Sequence, residues 1–206
     1  MLLKEVMNTN LVTVSPTTPA SEVQRIMTLH ELRYLPVVEG RRYVGLIPER
    51  SLRYRLWPLA SPTQRVDPHT PASGLIQPFP IAHPEDAVEE TVPLMWLRRV
   101  GAVPVVDGET LVGLVTFYDL VKALWPLLTY PHPASRIELL APRENQILSE
   151  LAHALKETQL PLQGLLLFPE AGQLGLRGTL WVNGLDTLPL VAMLRAKGFS
   201  VLWPHR

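Results

Sequence analysis

The stretch Gly113-Leu-Val-Thr-Phe-Tyr-Asp119 decides how the rest of the chain is read. Its apolar start, Leu111 to Val115, reads as a buried strand, and Thr116 to Leu124 reads as the helix that follows. Thr116 and Asp119 stand three residues apart where that helix begins. The first backbone N–H groups there lack partners, and the helix dipole favours anions. A hydroxyl and a carboxylate so placed could hold a nucleotide: Asp119 would accept from a ribose diol, while Thr116 and the amides meet a phosphate. Thr-x-x-Asp ahead of an apolar run is also a plain helix cap. For the four residues alone, both readings stand.

The stretch belongs to a duplication. An offset of 68 residues lays Pro36-Val37-Val38 on Pro104-Val105-Val106, without a gap in the aligned run. Pro16 then falls on Pro84, Glu22 on Glu90, Met27 on Met95 and Gly40 on Gly108. Val44-Gly45-Leu46 falls on Val112-Gly113-Leu114, and Leu52, Leu56 and Trp57 fall on Leu120, Leu124 and Trp125. One supersecondary unit has been used twice. The copies differ where the second has Thr116-Phe-Tyr-Asp119 and the first has Pro48-Glu-Arg-Ser51. Proline removes the hydroxyl and a backbone donor, and serine removes the carboxylate. A cap alone would be needed equally in both copies, so the asymmetry suits one working ligand site and one degenerate site.

Each copy reads as strand, helix, strand pair and closing helix. In the first these are Leu11 to Val14, Ala20 to Leu29, Tyr34 to Val38 with Tyr43 to Ile47, and Leu52 to Trp57, which Pro58 stops. In the second, Pro93 is expected to kink or shorten the first helix. Residues 61–73, with Pro62, Pro68 and Pro71, read as a linker between copies at 1–60 and 74–130. Residues 135–206 are a different unit. Arg136 to Leu140, Gln163 to Phe168, Leu176 to Val182 and Phe199 to Trp203 read as strands. Glu144 to Thr158 is a helix with Ile147, Leu148, Leu151 and Leu155 on one face, and Asp186 caps a second helix that Gly198 ends. The order βαββαβ is the ferredoxin-like split arrangement.

Composition narrows the function classes. Of 206 residues, 47% are hydrophobic and 18% charged, the balance of a globular core. The formal net charge is zero, so nothing points to nucleic acid or an acidic membrane. Cysteine is absent, which excludes disulfides, thiolate metal sites and a cysteine nucleophile. Neither a secretory signal nor a membrane span is expected, and a cytoplasmic location follows. The six histidines show no metal spacing, and no Gly-x-Ser-x-Gly, Walker or Rossmann motif is present. No catalytic residue and no required cofactor are expected.

The doubled order Pro-Val-Val, Gly, Val-Gly-Leu and Gly-h-h-Thr-x-x-Asp (h, apolar) resembles the cystathionine beta-synthase (CBS) domain family in its tandem form, over residues 1–127. The resemblance implies an α+β fold of two βαββα repeats packed by their sheets. It implies a regulatory sensor, paired as a homodimer, whose ligand is an adenosyl compound such as AMP, ADP, ATP or S-adenosylmethionine. Carried onto this sequence, Asp119 takes the ribose hydroxyls and Thr116 sits beside ribose and phosphate. Leu75 to Ile81, with Pro80 among them, line the base; Val100 and Gly101 offer backbone, and Arg33 reaches the phosphate.

The tail looks like an ACT domain, a small amino-acid-sensing module. The whole chain is then similar in plan to CBS–CBS–ACT proteins of acetoin utilisation. ACT domains that bind amino acids carry a glycine in the loop after the first strand, where this chain has Pro142-Arg-Glu-Asn145. A dimerisation or partner surface is therefore the expected role of the tail. Three functions stay open: a nucleotide sensor acting on a regulated partner, an interaction scaffold with a vestigial CBS site, and an amino-acid sensor acting through the tail.

Overall fold

The structure, a computed structural model, describes residues 1–50, 52, 66–128, 134–141, 147–170 and 175–204. The chain divides into two compact units, Met1–Leu124 and Trp125–Arg206. In the first unit the elements are α1 (Leu3–Val6), α2 (Ala20–Leu29), β1 (Tyr34–Glu39), β2 (Arg42–Pro48), a 3₁₀ turn (Ala72–Leu75), α3 (Val88–Arg98), β3 (Ala102–Asp107), β4 (Thr110–Thr116) and α4 (Phe117–Leu128). α4 runs past Leu124, where it was expected to end, and contains Pro126.

The duplication extends to backbone detail. Hairpins β1–β2 and β3–β4 turn at Gly40 (φ 64°) and Gly108 (φ 60°), conformations that suit glycine. Each hairpin shifts register at the same place, between Val37 and Val38 and between Val105 and Val106. The strand order is β1-β2-β4-β3. β2 and β4 pair only at their starts, Arg42 opposite Thr110. Farther along, each takes a different neighbour: Asn8 and Leu114 exchange two backbone bonds of 3.0 Å, and Gln77 N–H donates to Leu46 C=O at 3.0 Å.

This crossing alters three expectations. The first strand of each repeat is reduced to one bridged residue, Val14 beside Val37 and Ala82 beside Val105. Pro78 and Pro80 lack the donors a ladder needs, and Asn8 Oδ1 takes the Asn10 N–H in a local turn. The pairing of Asn8 and Gln77 with Leu114 and Leu46 corresponds to an offset of 69, so the first copy carries one extra residue before Val14. Residues 66–73, read as linker, pack on the first repeat: Val66 and Ala72 are buried, and Ala72 N–H donates to Thr18 C=O at 2.8 Å. At the matching place on the second repeat, Leu3 N–H donates to Asp86 C=O at 2.9 Å. Residues 51 and 53–65, which include most of the expected first closing helix, lie outside the described residues.

Pro93 does not shorten α3, which keeps 11 residues against 10 in α2. Its missing N–H forgoes one bond, while Val88, Thr91 and Met95 bury the face that holds the helix to the sheet.

The second unit contains β5 (Ser135–Ala141), α5 (Ile147–Thr158), β6 (Leu162–Pro169), β7 (Leu176–Val182), α6 (Leu188–Ala196) and β8 (Ser200–Trp203). Its antiparallel sheet has the order β6-β7-β5-β8 around a core that includes Ile137, Leu139, Leu180, Leu190 and Leu194. On α5 the buried residues are Ile147, Leu151 and Ala154, whereas Leu148, expected beside them, is 62% exposed. Positions i, i+4 and i+7 define the face, and Leu148 falls off its edge. Asp186 Oδ1 accepts the Leu188 N–H at 3.1 Å, and Gly198 (φ 86°) follows the helix end. The loop at 142–146 lies outside the described residues.

The crossing leaves no room at its glycines. A Cβ on Gly45 would lie 2.3 Å from Ile76 Cγ2, and one on Gly113 would lie 2.4 Å from Met7 Sδ. Gly45→Ala is therefore expected to destabilise the protein by about 1–3 kcal/mol, the scale of overpacking a stiff β-branched neighbour. Urea denaturation giving an unchanged midpoint would remove the crossing as a constraint.

Candidate functional site

β4 delivers Thr116 to the start of α4, with Gly113, Leu114 and Val115 buried behind it. The Thr116 N–H and Oγ1–H both donate to Asp119 Oδ2, at 2.8 and 2.6 Å, and the Asp119 N–H donates back to Thr116 Oγ1 at 3.3 Å. This is a reciprocal cap: each side chain satisfies a donor at the helix start. It uses one carboxylate oxygen. Among the described residues no donor meets Oδ1 of Asp119, so a held carboxylate keeps an acceptor in reserve.

The equivalent place in the first copy is built differently. Pro48 ends β2 opposite Tyr34. Beside them opens a cleft of about 410 Å³ lined by Tyr34, Pro48 and Arg50 from the first copy and by Gln77, Pro78, Phe79, Arg99, Val100 and Gly101 from the second. The Tyr34 and Phe79 rings meet edge to face at 5.8 Å and 84°. The Tyr34 hydroxyl occupies the space a Cβ on Gly101 would need, at 2.3 Å. A second depression, of about 580 Å³, shares Arg99, Val100 and Gly101 with this cleft and is lined also by Met95, Trp96 and Phe117.

The residues read as one site are thus distributed. Val100 and Gly101 line both concavities, and Gln77 to Phe79 line the first. Thr116 and Asp119 line neither, although the Phe117 N–H between them donates to Gly101 C=O at 3.2 Å. Leu75 is buried in the core of the first repeat, Pro80 is half-buried and Ile81 is exposed. Arg33 is exposed, and its carbonyl accepts the Glu49 N–H at 2.8 Å. The segment 77–79 stands beside Pro48 rather than Thr116 because Gln77 pairs with β2. Tyr34, Arg50 and Arg99 were missed. Their alignment with Ala102, Tyr118 and Glu31 was legible at the offset of 68, but the crossing that joins them was not. Among the described residues no group of three His, Asp or Glu could hold a metal ion, and no helix is long and apolar enough to cross a membrane.

The family model of the CBS domain matches this chain twice, at residues 3–57 and 74–126. The chain belongs to the CBS-domain family. The CBS domain-containing protein YhcV of Bacillus subtilis is 29% identical over 119 residues, 57% of this chain and 81% of that protein. An inosine-5'-monophosphate dehydrogenase of Methanocaldococcus jannaschii is 28% identical over 120 residues, but the chain spans only 22% of its length. Among solved structures, the CBS pair resembles an acetoin utilization protein (AcuB) of Vibrio cholerae, with TM-score 0.53 and 22% identity over 62% of this chain and 93% of that one. CBSX2 in complex with AMP gives TM-score 0.54 and 20% identity over 62% of this chain and 98% of that one. The CBS domain pair of MJ0100, in complex with 5'-methylthioadenosine and S-adenosyl-L-methionine, gives 0.52 and 21% over 61% and 97%. At these identities the structural likeness speaks for the fold of the pair.

The cap also makes a stability prediction. Thr116→Ala should destabilise the CBS pair by about 0.5–2 kcal/mol, the range for losing an N-cap side chain. Equal unfolding midpoints for the variant and the parent would mean that the cap contributes nothing.

Proposed function

We propose that this chain is a ligand-sensing regulatory protein whose CBS pair binds an adenosyl compound at the second repeat. The observation that carries the reading is the half-used carboxylate of Asp119. One oxygen is held by Thr116, which orients the group before a ligand arrives, and the other is available to a ribose diol. Thr116 and the first amides of α4 lie beside it, and Arg33 sits at the first-copy position equivalent to Gly101. CBS pairs of the same fold have been crystallised with AMP and with 5'-methylthioadenosine and S-adenosyl-L-methionine, which supports the ligand class. Pro48 offers neither hydroxyl nor N–H in the first copy, so a single Asp119-dependent site per chain is proposed.

The tail is proposed as an ACT-like domain that serves as a dimerisation or partner surface. Its element order and its strand order β6-β7-β5-β8 support that reading. A homodimer is proposed through the helices of the CBS pair. Trp96 (76% exposed), Leu97 (78%), Tyr118 (76%) and Val121 (58%) lie on α3 and α4, and Leu29 (65%), the counterpart of Leu97, is exposed on α2. Apolar exposure on this scale marks interfaces, and closed two-fold dimers are the commonest way to cover it.

Calorimetry with AMP, ATP and S-adenosylmethionine tests the ligand. Asp119→Ala should weaken binding by ~1.5–3 kcal/mol, the scale of a charge-assisted hydrogen bond. Equal affinity in that variant would sink the site, as would two Asp119-dependent equivalents per chain. For the assembly, sedimentation at micromolar concentration should give a dimer that Trp96→Glu with Leu97→Glu disrupts. A monomer of 23.1 kDa in the parent protein would refute it.

A further inference from the structure

We propose that the second unit holds a site of its own, a slot between α5 and β6 that takes a medium-length aliphatic carboxylate. The slot has a volume of about 230 Å³, and every residue lining it is apolar. Leu180 of β7 and Leu151 of α5 are buried at its floor, while Leu148 and Leu162, 62% and 45% exposed, stand at its rim. Water needs polar partners that such a slot lacks, and apolar cavities of about 150 Å³ stay dry and take a benzene ring. On that scale this slot holds an aliphatic chain on the order of eight carbons. A helix, about 10 Å across, is too thick to enter it.

Two features of the slot exceed what the core of the unit requires. The first is a bulge in β6: Leu162 pairs with Val182 and Gly164 with Trp181, so Gln163 is an inserted residue. Regular alternation would put Leu162 with Gly164, on the face away from the helices. The bulge instead turns Leu162 to the face of Leu165, and both line the slot. The insertion leaves a buried acceptor unmet, because among the described residues no donor meets Gln163 Oε1. No gain in core packing offsets this, since Leu162 stays exposed. The second feature is charge. Lys156 stands four residues after Ala152, which lines the slot, so the two share a flank of α5, and long helical side chains lean back over the preceding turn. Lys156 is exposed, and among the described residues no carboxylate lies within ion-pair distance of it, whereas Lys4 and Lys197 each have one. β6 has no charged residue. On α5 the acidic residues Glu150 and Glu157 fall on the opposite flank, where Glu150 meets Lys197. One cation at the mouth of an apolar slot selects an amphipathic anion, chain inward and carboxylate outward.

Calorimetric titration of the full chain with sodium octanoate tests this, with octanol and L-leucine as comparison probes. One equivalent of octanoate should bind per chain. Ala152→Trp, which fills the slot from an exposed position, should weaken it roughly tenfold or more as apolar burial is lost. Lys156→Gln should weaken octanoate about threefold, the scale of an exposed ion pair, and leave octanol unchanged. Lys156→Arg should restore octanoate binding. Circular dichroism melts coinciding with the parent show the variants folded, and Leu148→Gln, at the exposed rim, replaces Ala152→Trp if that variant melts early. Absence of octanoate binding overturns the proposal, and so does parental affinity in the folded slot variant. L-leucine binding as tightly as octanoate overturns the ligand class, because no lining residue offers an acceptor to an ammonium group. A lower sedimentation coefficient for the slot variant without octanoate also overturns it, since the slot would then hold a second copy. Asp119→Ala should bind octanoate like the parent, and failure of adenosyl binding at Asp119 would leave the octanoate results untouched.

Discussion

The constraint on which the CBS pair depends is the exchange of leading segments between its two repeats. β2 and β4 meet only at Arg42 and Thr110 and then part. Backbone donors along the parted edges need partners once buried. Asn8 bonds to β4 at Leu114 and Gln77 bonds to β2 at Leu46, so each repeat is completed by chain that leads into the other. Gly45 and Gly113 sit under these crossings because a side chain there would strike Ile76 or Met7. The same exchange docks α1 on the second repeat and the 3₁₀ turn on the first. The two repeats are thus mutually dependent for their backbone bonding and share one sheet.

Function follows from where the exchange places side chains. Because residues 77–79 run beside β2, the cleft that Tyr34 and Phe79 line includes Pro48 of the copy whose Thr-x-x-Asp motif has been lost. The intact motif is a closed cap in which, among the described residues, one carboxylate oxygen of Asp119 has no hydrogen-bond partner. Capping and ligand binding, which compete as explanations of Thr-x-x-Asp in sequence, are compatible here because a carboxylate has two oxygens. Gly101 lies between the two places: its Cα faces the Tyr34 hydroxyl, and its carbonyl accepts the N–H of the residue after Thr116.

The second unit is held by a different arrangement. Its helices pack on one face of the sheet, burying Ile137, Leu139 and Leu180. Arg177 joins Glu138 and Glu170 across two strands, with N···O distances of 2.7 Å to each, and Arg136 shares Glu138. β6 forms one edge of the sheet and carries exposed Leu162, Leu166 and Phe168. An apolar edge strand of this kind leaves a row of backbone groups open to pairing.

The sequence by itself determined the duplication, the positions of the turns and the family. Gly40 and Gly108 punctuate the hairpins, Pro-Val-Val and Val-Gly-Leu fill the strands, and the periodicity of α5 identifies Ile147 and Leu151 on its buried face. These are local properties, set by backbone angles and by the burial of nearby residues. The crossing was decided only in three dimensions. Backbone hydrogen bonds between Gln77 and Leu46, or Asn8 and Leu114, carry no residue identity, so nothing in either segment says which repeat it will complete. For the same reason Leu75 reads as a site residue in sequence and is a core residue in the structure, while Tyr34, Arg50 and Arg99 become neighbours only after the exchange. Side-chain pattern specifies the elements, and long-range pairing of a chemically uniform backbone specifies which motif each element meets.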